Sequence, residues 1–119
     1  MKIKRPYRKA IELAKKLAKE RDGYTCLRCG RSKQGGYQIQ GSHIFGIGAH
    51  PRLAAEILNI KALCASCHRW WHSSPLESGK WFREKYPDWY KELNKLRMEE
   101  DSLKKIDWNK KLEDLKKYE

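Results

Sequence analysis

From Pro6 to Arg21 the apolar positions include Tyr7, Ala10, Ile11, Ala14, Leu17 and Ala18. Steps of three and four trace one stripe of a helix, with Lys9, Lys15, Lys16 and Lys19 on or beside the wet face. Pro6 suits a first turn, and Asp22-Gly23 ends the helix. The period then changes. In YQIQGSHIF, Tyr37 and Ile39 alternate with Gln38 and Gln40, as in a half-buried strand. GIGAHP reads as loop, residues 51–58 as a short helix, NIKAL as a second strand and residues 65–73 as a helix. Ser74-Pro75-Leu76-Glu77 has the form of a capping box with proline at the first helical position, so another helix starts there. Pro87 opens the next, carrying Trp89, Tyr90, Leu93 and Leu96, and residues 107–118 make a last one with Trp108, Leu112 and Leu115. The order predicts a small α+β protein. Its parts are a basic amino-terminal helix over 1–21, a core over 22–86 and a helical extension over 87–119, in one compact domain.

Charge narrows the partner. Lys and Arg number 27 against 15 Asp and Glu, which with the aromatic content points to a polyanion. Residues 1–25 hold nine Lys and Arg and three acids, and residues 26–75 hold six with Glu56 the only acid. Residues 76–119 are nearly balanced, so the positive field belongs to the first two thirds. DNA is the expected partner. No run approaches a membrane span, and MKIKRPYRKA has no apolar signal core, so no membrane role is expected. A reducing, cytoplasmic compartment follows, where cysteines serve metals or chemistry more often than disulfides.

The four cysteines form two pairs, Cys26-Leu-Arg-Cys29 and Cys64-Ala-Ser-Cys67. Two-residue spacing lets both sulfurs of a pair reach one ion from a tight turn, and two pairs complete a closed tetrahedral zinc site. A redox pair would leave the other pair unexplained. Cys64-Ala-Ser-Cys67-His68 also has the form of a haem attachment site, but Cys26–Cys29 is followed by Gly30 and no export signal is seen. The long stretch between the pairs predicts something folded inside the loop.

All four histidines lie in this half of the chain. On a helix over 65–73, His68 and His72 stand at i and i+4, a ready clamp for a divalent ion. The alternative is a pair of surface or packed histidines. Trp70 and Trp71 are read mainly as core that fixes this helix, rather than as platforms for bases.

GSHIF with His43, LNIKALC with Asn59, and CASCHRWWH with His68 and His72 run strand, loop, strand with asparagine, helix with histidine. This order resembles the HNH, or ββα-metal, endonucleases, in the version with two CxxC pairs around the motif. The pattern SHI…N…LC…CHRWWH…PLE…WF is similar to small phage and prophage HNH proteins, and GSHIFGIGAHPRLAAEILN to the Rap/NinG recombination nucleases of lambdoid phages. The resemblance covers residues 22–86. It implies a zinc-bound HNH core that cleaves or nicks DNA, in the host cytoplasm if phage-encoded. His43 would be the general base, and Asn59 would hold the His43 loop. His68 and His72 would carry a catalytic divalent metal, whether magnesium, manganese, nickel or zinc. A neutral histidine can take a proton from water near pH 7, and a divalent ion can bind the scissile phosphate. Arg52, Lys61 and Arg69 are candidate phosphate contacts, with plain solubility as the alternative for each.

There is one departure. Many HNH proteins place Asp, Glu or His before the base histidine as a further ligand, and here Ser42 stands there. Alternation puts Ser42 and His43 on opposite faces unless the strand bulges, so His50 or water would have to fill the site. Two rival readings follow. One is a non-catalytic, zinc-dependent DNA-binding module. The other is a phage packaging or recombination accessory protein that docks a protein partner through its carboxy-terminal helices.

Overall fold

The computed structural model describes residues 4–99 and 105–119. The first three residues of the expected basic helix and residues 100–104 of the extension lie outside them. Helix α1 spans Lys4–Arg21, so Pro6 falls in its first turn as expected. Strands β1 (Ile39–His43) and β2 (Ile60–Cys64) form a two-stranded antiparallel sheet. Helices α2 (Ala65–Ser73), α3 (Pro75–Lys85), α4 (Pro87–Glu99) and α5 (Trp108–Lys116) follow. The class is α+β. Among the described residues no helix is long and apolar enough to cross a membrane.

The ladder pairs Ile39 with Cys64, Gly41 with Ala62, Ser42 with Lys61 and His43 with Ile60, without a bulge. Alternation therefore holds, and Ser42 and His43 point to opposite faces. Every residue of β2 is buried, so this strand is covered on both sides. The outer edge of β2 has no third strand. The backbone N–H of Ala62 instead donates to the Asp22 carboxylate at 2.9 Å, and its carbonyl accepts from the N–H of Leu27 at 3.0 Å. The Arg21 guanidinium donates to the carbonyls of Ile57 at 3.0 Å and Ile60 at 2.5 Å, and lies on the Trp89 ring. The end of α1 is thus a substitute strand made of side chains.

The stripe of α1 packs on Ile60, Ala54 and Ala55 in one core cluster. Helix α5 joins the same cluster through Leu115, Leu112 and Trp108, whose ring meets Tyr7 edge-on at 4.6 Å. The basic helix is built into the core, since Ala10, Ala14 and Ala18 have no exposed surface. The apolar side of α5 is likewise occupied within the chain. On the other face of the sheet, α2, α3 and α4 meet through aromatic edges, among them Trp71–Phe82 and Phe82–Trp89. The Trp89 indole donates to the Leu58 carbonyl at 2.8 Å. The tryptophans are half-buried, and Trp71, Trp81 and Trp108 pack against the core clusters from outside.

Two local expectations need correction. Residues 51–58 form two 3-10 turns, Pro51–Leu53 and Ile57–Asn59, and not one helix. The Ala54 carbonyl is taken by the His43 ring, and the Leu53 carbonyl is shared between the Asn59 amide and the Glu56 N–H. Ser74 does stand before α3 with Pro75 next, but its hydroxyl makes no cap bond. Its backbone closes α2 by donating to the Trp70 carbonyl, and the buried Ser78 hydroxyl reaches back to the Trp71 carbonyl at 3.0 Å.

Helix α1 crosses β1 at Gly41. A Cβ added there would stand 2.8 Å from Cγ and 2.9 Å from Cβ of Lys15. These are not flexible chain ends, so the helix itself must move. Gly41→Ala is expected to destabilise by about 1–3 kcal/mol through overpacking. Gly46→Ala, where an added Cβ meets nothing within 4 Å, should stay within roughly 0.5 kcal/mol of the parent. Thermal or urea unfolding of the two variants checks the contrast.

Candidate functional site

The four cysteine sulfurs lie within 4.8 Å of one another, and the Cys29 and Cys64 sulfurs are 3.6 Å apart. One pair sits on the turn after α1, the other where β2 runs into α2. In the first turn, Gly30 takes a positive φ of 81°, which glycine adopts at little cost. Four sulfurs about 2.3 Å from a central zinc would stand just under 4 Å apart, so the cluster fits a tetrahedral ion. Burial works against the Cys64 thiol, but hydrogen bonds from Ser66, Cys67 and Cys29 outweigh it and bring it down to about 6. Burial pushes Cys67 up to about 12 and also raises Cys29. A dication reverses that resistance, because bound cysteines are thiolates. Arg28 stacks on Trp70 at 3.7 Å and points Nη1 at the Cys67 sulfur, adding a positive charge beside the cluster.

The second group of residues surrounds β1. The ring of His43 is held by the Ala54 carbonyl, 2.7 Å from Nε2. A carbonyl only accepts, so Nε2 carries the hydrogen, and the neutral ring keeps its lone pair on Nδ1. Burial lowers the pKa of His43 below 6.5, the Ala54 bond opposes this, and Lys15, Lys61 and His72 add to the lowering. The ring is therefore neutral near pH 7.

Asn59 is fully buried and explains why the loop before it is shaped as it is. Its Oδ1 accepts from the Phe45 N–H at 2.8 Å, and its Nδ2 donates to the carbonyls of Phe45 at 3.0 Å and Leu53 at 3.1 Å. Both ends of the loop that supplies the Ala54 carbonyl are tied to one side chain.

His68 and His72 do lie on one face of α2, with their Nε2 atoms 3.1 Å apart. Nδ1 of His68 meets the Gln40 side-chain oxygen at 2.5 Å, which assigns hydrogen to Nδ1 and a lone pair to Nε2. Burial, then the charges of His72, Lys61, Lys15 and His43, bring His68 down to about 4. Arg69 is exposed and borders an open groove beside His68 and His72.

Other expected residues fall elsewhere. Lys61 does not reach a phosphate. It has no exposed surface, donates to the Ser42 hydroxyl at 3.2 Å and stands 3.2 Å above the centre of the Trp71 ring. Burial holds it well below the usual lysine range, with Asp22 opposing. Ser42 is turned to Lys61 and away from His43, so it supplies no ligand on the His43 side. His50 is not brought to the His68–His72 pair. Its ring packs edge-on against Phe45 at 5.3 Å, because the 3-10 turn beginning at Pro51 directs it there. Arg52 is half-buried on that same turn.

His43, His68 and His72 line one cavity of 540 Å³, and Lys15 and Arg83 line it too. Neither cation was singled out by the sequence pattern. Lys15 follows Ala14 on the edge of a stripe of small residues that allows close helix–strand contact, which is the signal for its placement. Gln40 was counted only as a polar strand position, and nothing local marks it as the partner of His68. No protein-family model, curated protein or solved structure matches the chain.

One zinc per chain is the expected metal content of the purified protein, by elemental analysis. Cys64→Ser should lose that zinc and its cooperative melting transition, since such binding energy is folding energy. A Cys64→Ser protein that melts like the parent would rule out the four-thiolate site.

Proposed function

We propose that the chain is a divalent-metal-dependent DNA endonuclease of the HNH type, built on a ββα core with a structural zinc at the four cysteines. The observation that carries this reading is His43. Its Nε2 is held by the Ala54 carbonyl, and its free Nδ1 belongs to a neutral ring lining the same cavity as the His68–His72 pair. A positioned neutral imidazole is what abstracting a proton from water requires. The positive charge of the chain, much of it on exposed α1 residues such as Arg8, Lys9 and Lys16, suits a phosphate backbone.

Nε2 atoms 3.1 Å apart suit two bonds of about 2.0–2.1 Å to one ion. Bound there, a divalent ion would supply charge to the scissile phosphate and the leaving oxygen. No acid is among the described residues lining the cavity, so the donors are imidazoles. Imidazole suits zinc or nickel better than magnesium, which prefers oxygen. The protein's own part is to orient water on Nδ1 of His43, accept its proton there and hold the ring through Ala54 and Asn59. Asn59 acts through the loop and is a positioning residue. One observation favours the non-catalytic DNA-binding alternative. The ligand position before His43 is occupied by a serine that bonds a buried lysine.

His43→Ala should lower the cleavage rate of supercoiled plasmid by roughly 100- to 10,000-fold while zinc content and DNA affinity stay unchanged. His68→Ala should be partly rescued by raising the metal concentration, and His43→Ala should not. At saturating metal the parent rate should rise with pH and then level off. Because the pKa of His43 is lowered, the midpoint should fall below 6.5. Binding without cleavage under magnesium, manganese, nickel and zinc, with His43→Ala binding equally well, would replace this reading with the binding module.

A further inference from the structure

The cavity beside the histidines is larger and more apolar than a sugar–phosphate backbone needs. Its lining includes the apolar side chains of Phe45, Ile47, Trp71 and Tyr90. It also includes Lys15 and the histidines, with Arg83 as a further cation and no acid among the described lining residues. Lys15 is held there by construction. It lies across Gly41, where a side chain on the strand would displace it, and its ion pair with Glu12 is a loose surface contact at 3.8 Å. A ligand that matches both parts must join an anion to a flat apolar group. Volumes of this size accept a small organic ligand.

We infer that this cavity is a subsite for one unstacked nucleotide of the bound strand, its phosphate at Lys15 and its base against the Phe45–Tyr90 wall. In a duplex the bases are stacked and present only their edges in the grooves, so a paired strand brings nothing to fill the apolar part. A single-stranded or locally opened strand can turn a base out, and aromatic rings accept any base by its face. The substrate class is therefore DNA with an unpaired nucleotide at or beside the scissile phosphate. This inference rests on the DNA reading above, but it concerns binding and is tested without cleavage.

The test uses full-length, zinc-loaded His43→Ala protein without added catalytic metal. The probe is an oligonucleotide of about a dozen nucleotides carrying 2-aminopurine, used alone and annealed to its complement. The single strand should bind more tightly and show fluorescence quenched by ring stacking. Tyr90→Leu, which keeps apolar bulk but removes the ring, should weaken single-strand binding about tenfold and leave the duplex unchanged. Lys15→Gln should also weaken the single strand more than the duplex. Lys16→Gln, the same charge change one residue along on the exposed face, should affect both probes equally and slightly. Equal affinity for the two probes, or Tyr90→Leu and Lys15→Gln effects no larger than that of Lys16→Gln, overturns the subsite and leaves the nuclease reading standing. A single-strand preference in a parent that cleaves nothing supports the subsite and removes the nuclease.

Discussion

Strand β2 has both faces buried and only one neighbouring strand, and the rest of the molecule is arranged around that constraint. A buried backbone edge must find partners, since an unsatisfied N–H or carbonyl costs about 1–3 kcal/mol. Here the partners are Asp22, Arg21 and the backbone of Leu27. Asp22 and Arg21 fix where α1 ends and how it lies on the sheet. Leu27 sits between Cys26 and Cys29, so its bond to Ala62 also sets the first cysteine turn beside the second. One edge of one short strand thus sets both the end of α1 and the first cysteine turn.

The other end of that strand governs the histidines. Asn59 ends the turn leading into β2 and ties the loop at Phe45 and Leu53, and that loop carries the carbonyl that orients His43. At the opposite end, Cys64 passes directly into α2, which carries His68 and His72. The sheet contributes five residues per strand, yet His43, His68 and His72 are all referenced to it. The irregular loop is irregular because its carbonyls are engaged by side chains.

Patterns set by local chemistry could be read from the sequence. The stripe of α1, the run of helices opened by Pro75 and Pro87, and the paired cysteines all depend on near neighbours. Contacts that depend on the fold could not be read. Lys61 looks like any basic strand residue until Ser42 and Trp71 are seen around it. Arg21 and Asp22 look like the polar end of a helix, although they replace a strand. Lys15 belongs by periodicity to the wet side, but the missing side chain at Gly41 lets its stem lie on the strand. The Gln40–His68 contact spans two elements whose approach no local pattern encodes.

The buried Lys61 side chain has a consequence for anything that visits the histidine pair. Its field is one of the causes that push His68 away from accepting a proton. Coulomb repulsion scales with the charge of the visitor, so the same field opposes a doubly charged ion about twice as strongly as a proton. Two nitrogens aimed at one point would attract such an ion, and whatever charge Lys61 keeps, against the burial that favours its neutral form, would oppose it. An ion at the histidine pair would then exchange more readily than one at the cysteine cluster, where thiolate charge would hold it for the lifetime of the fold.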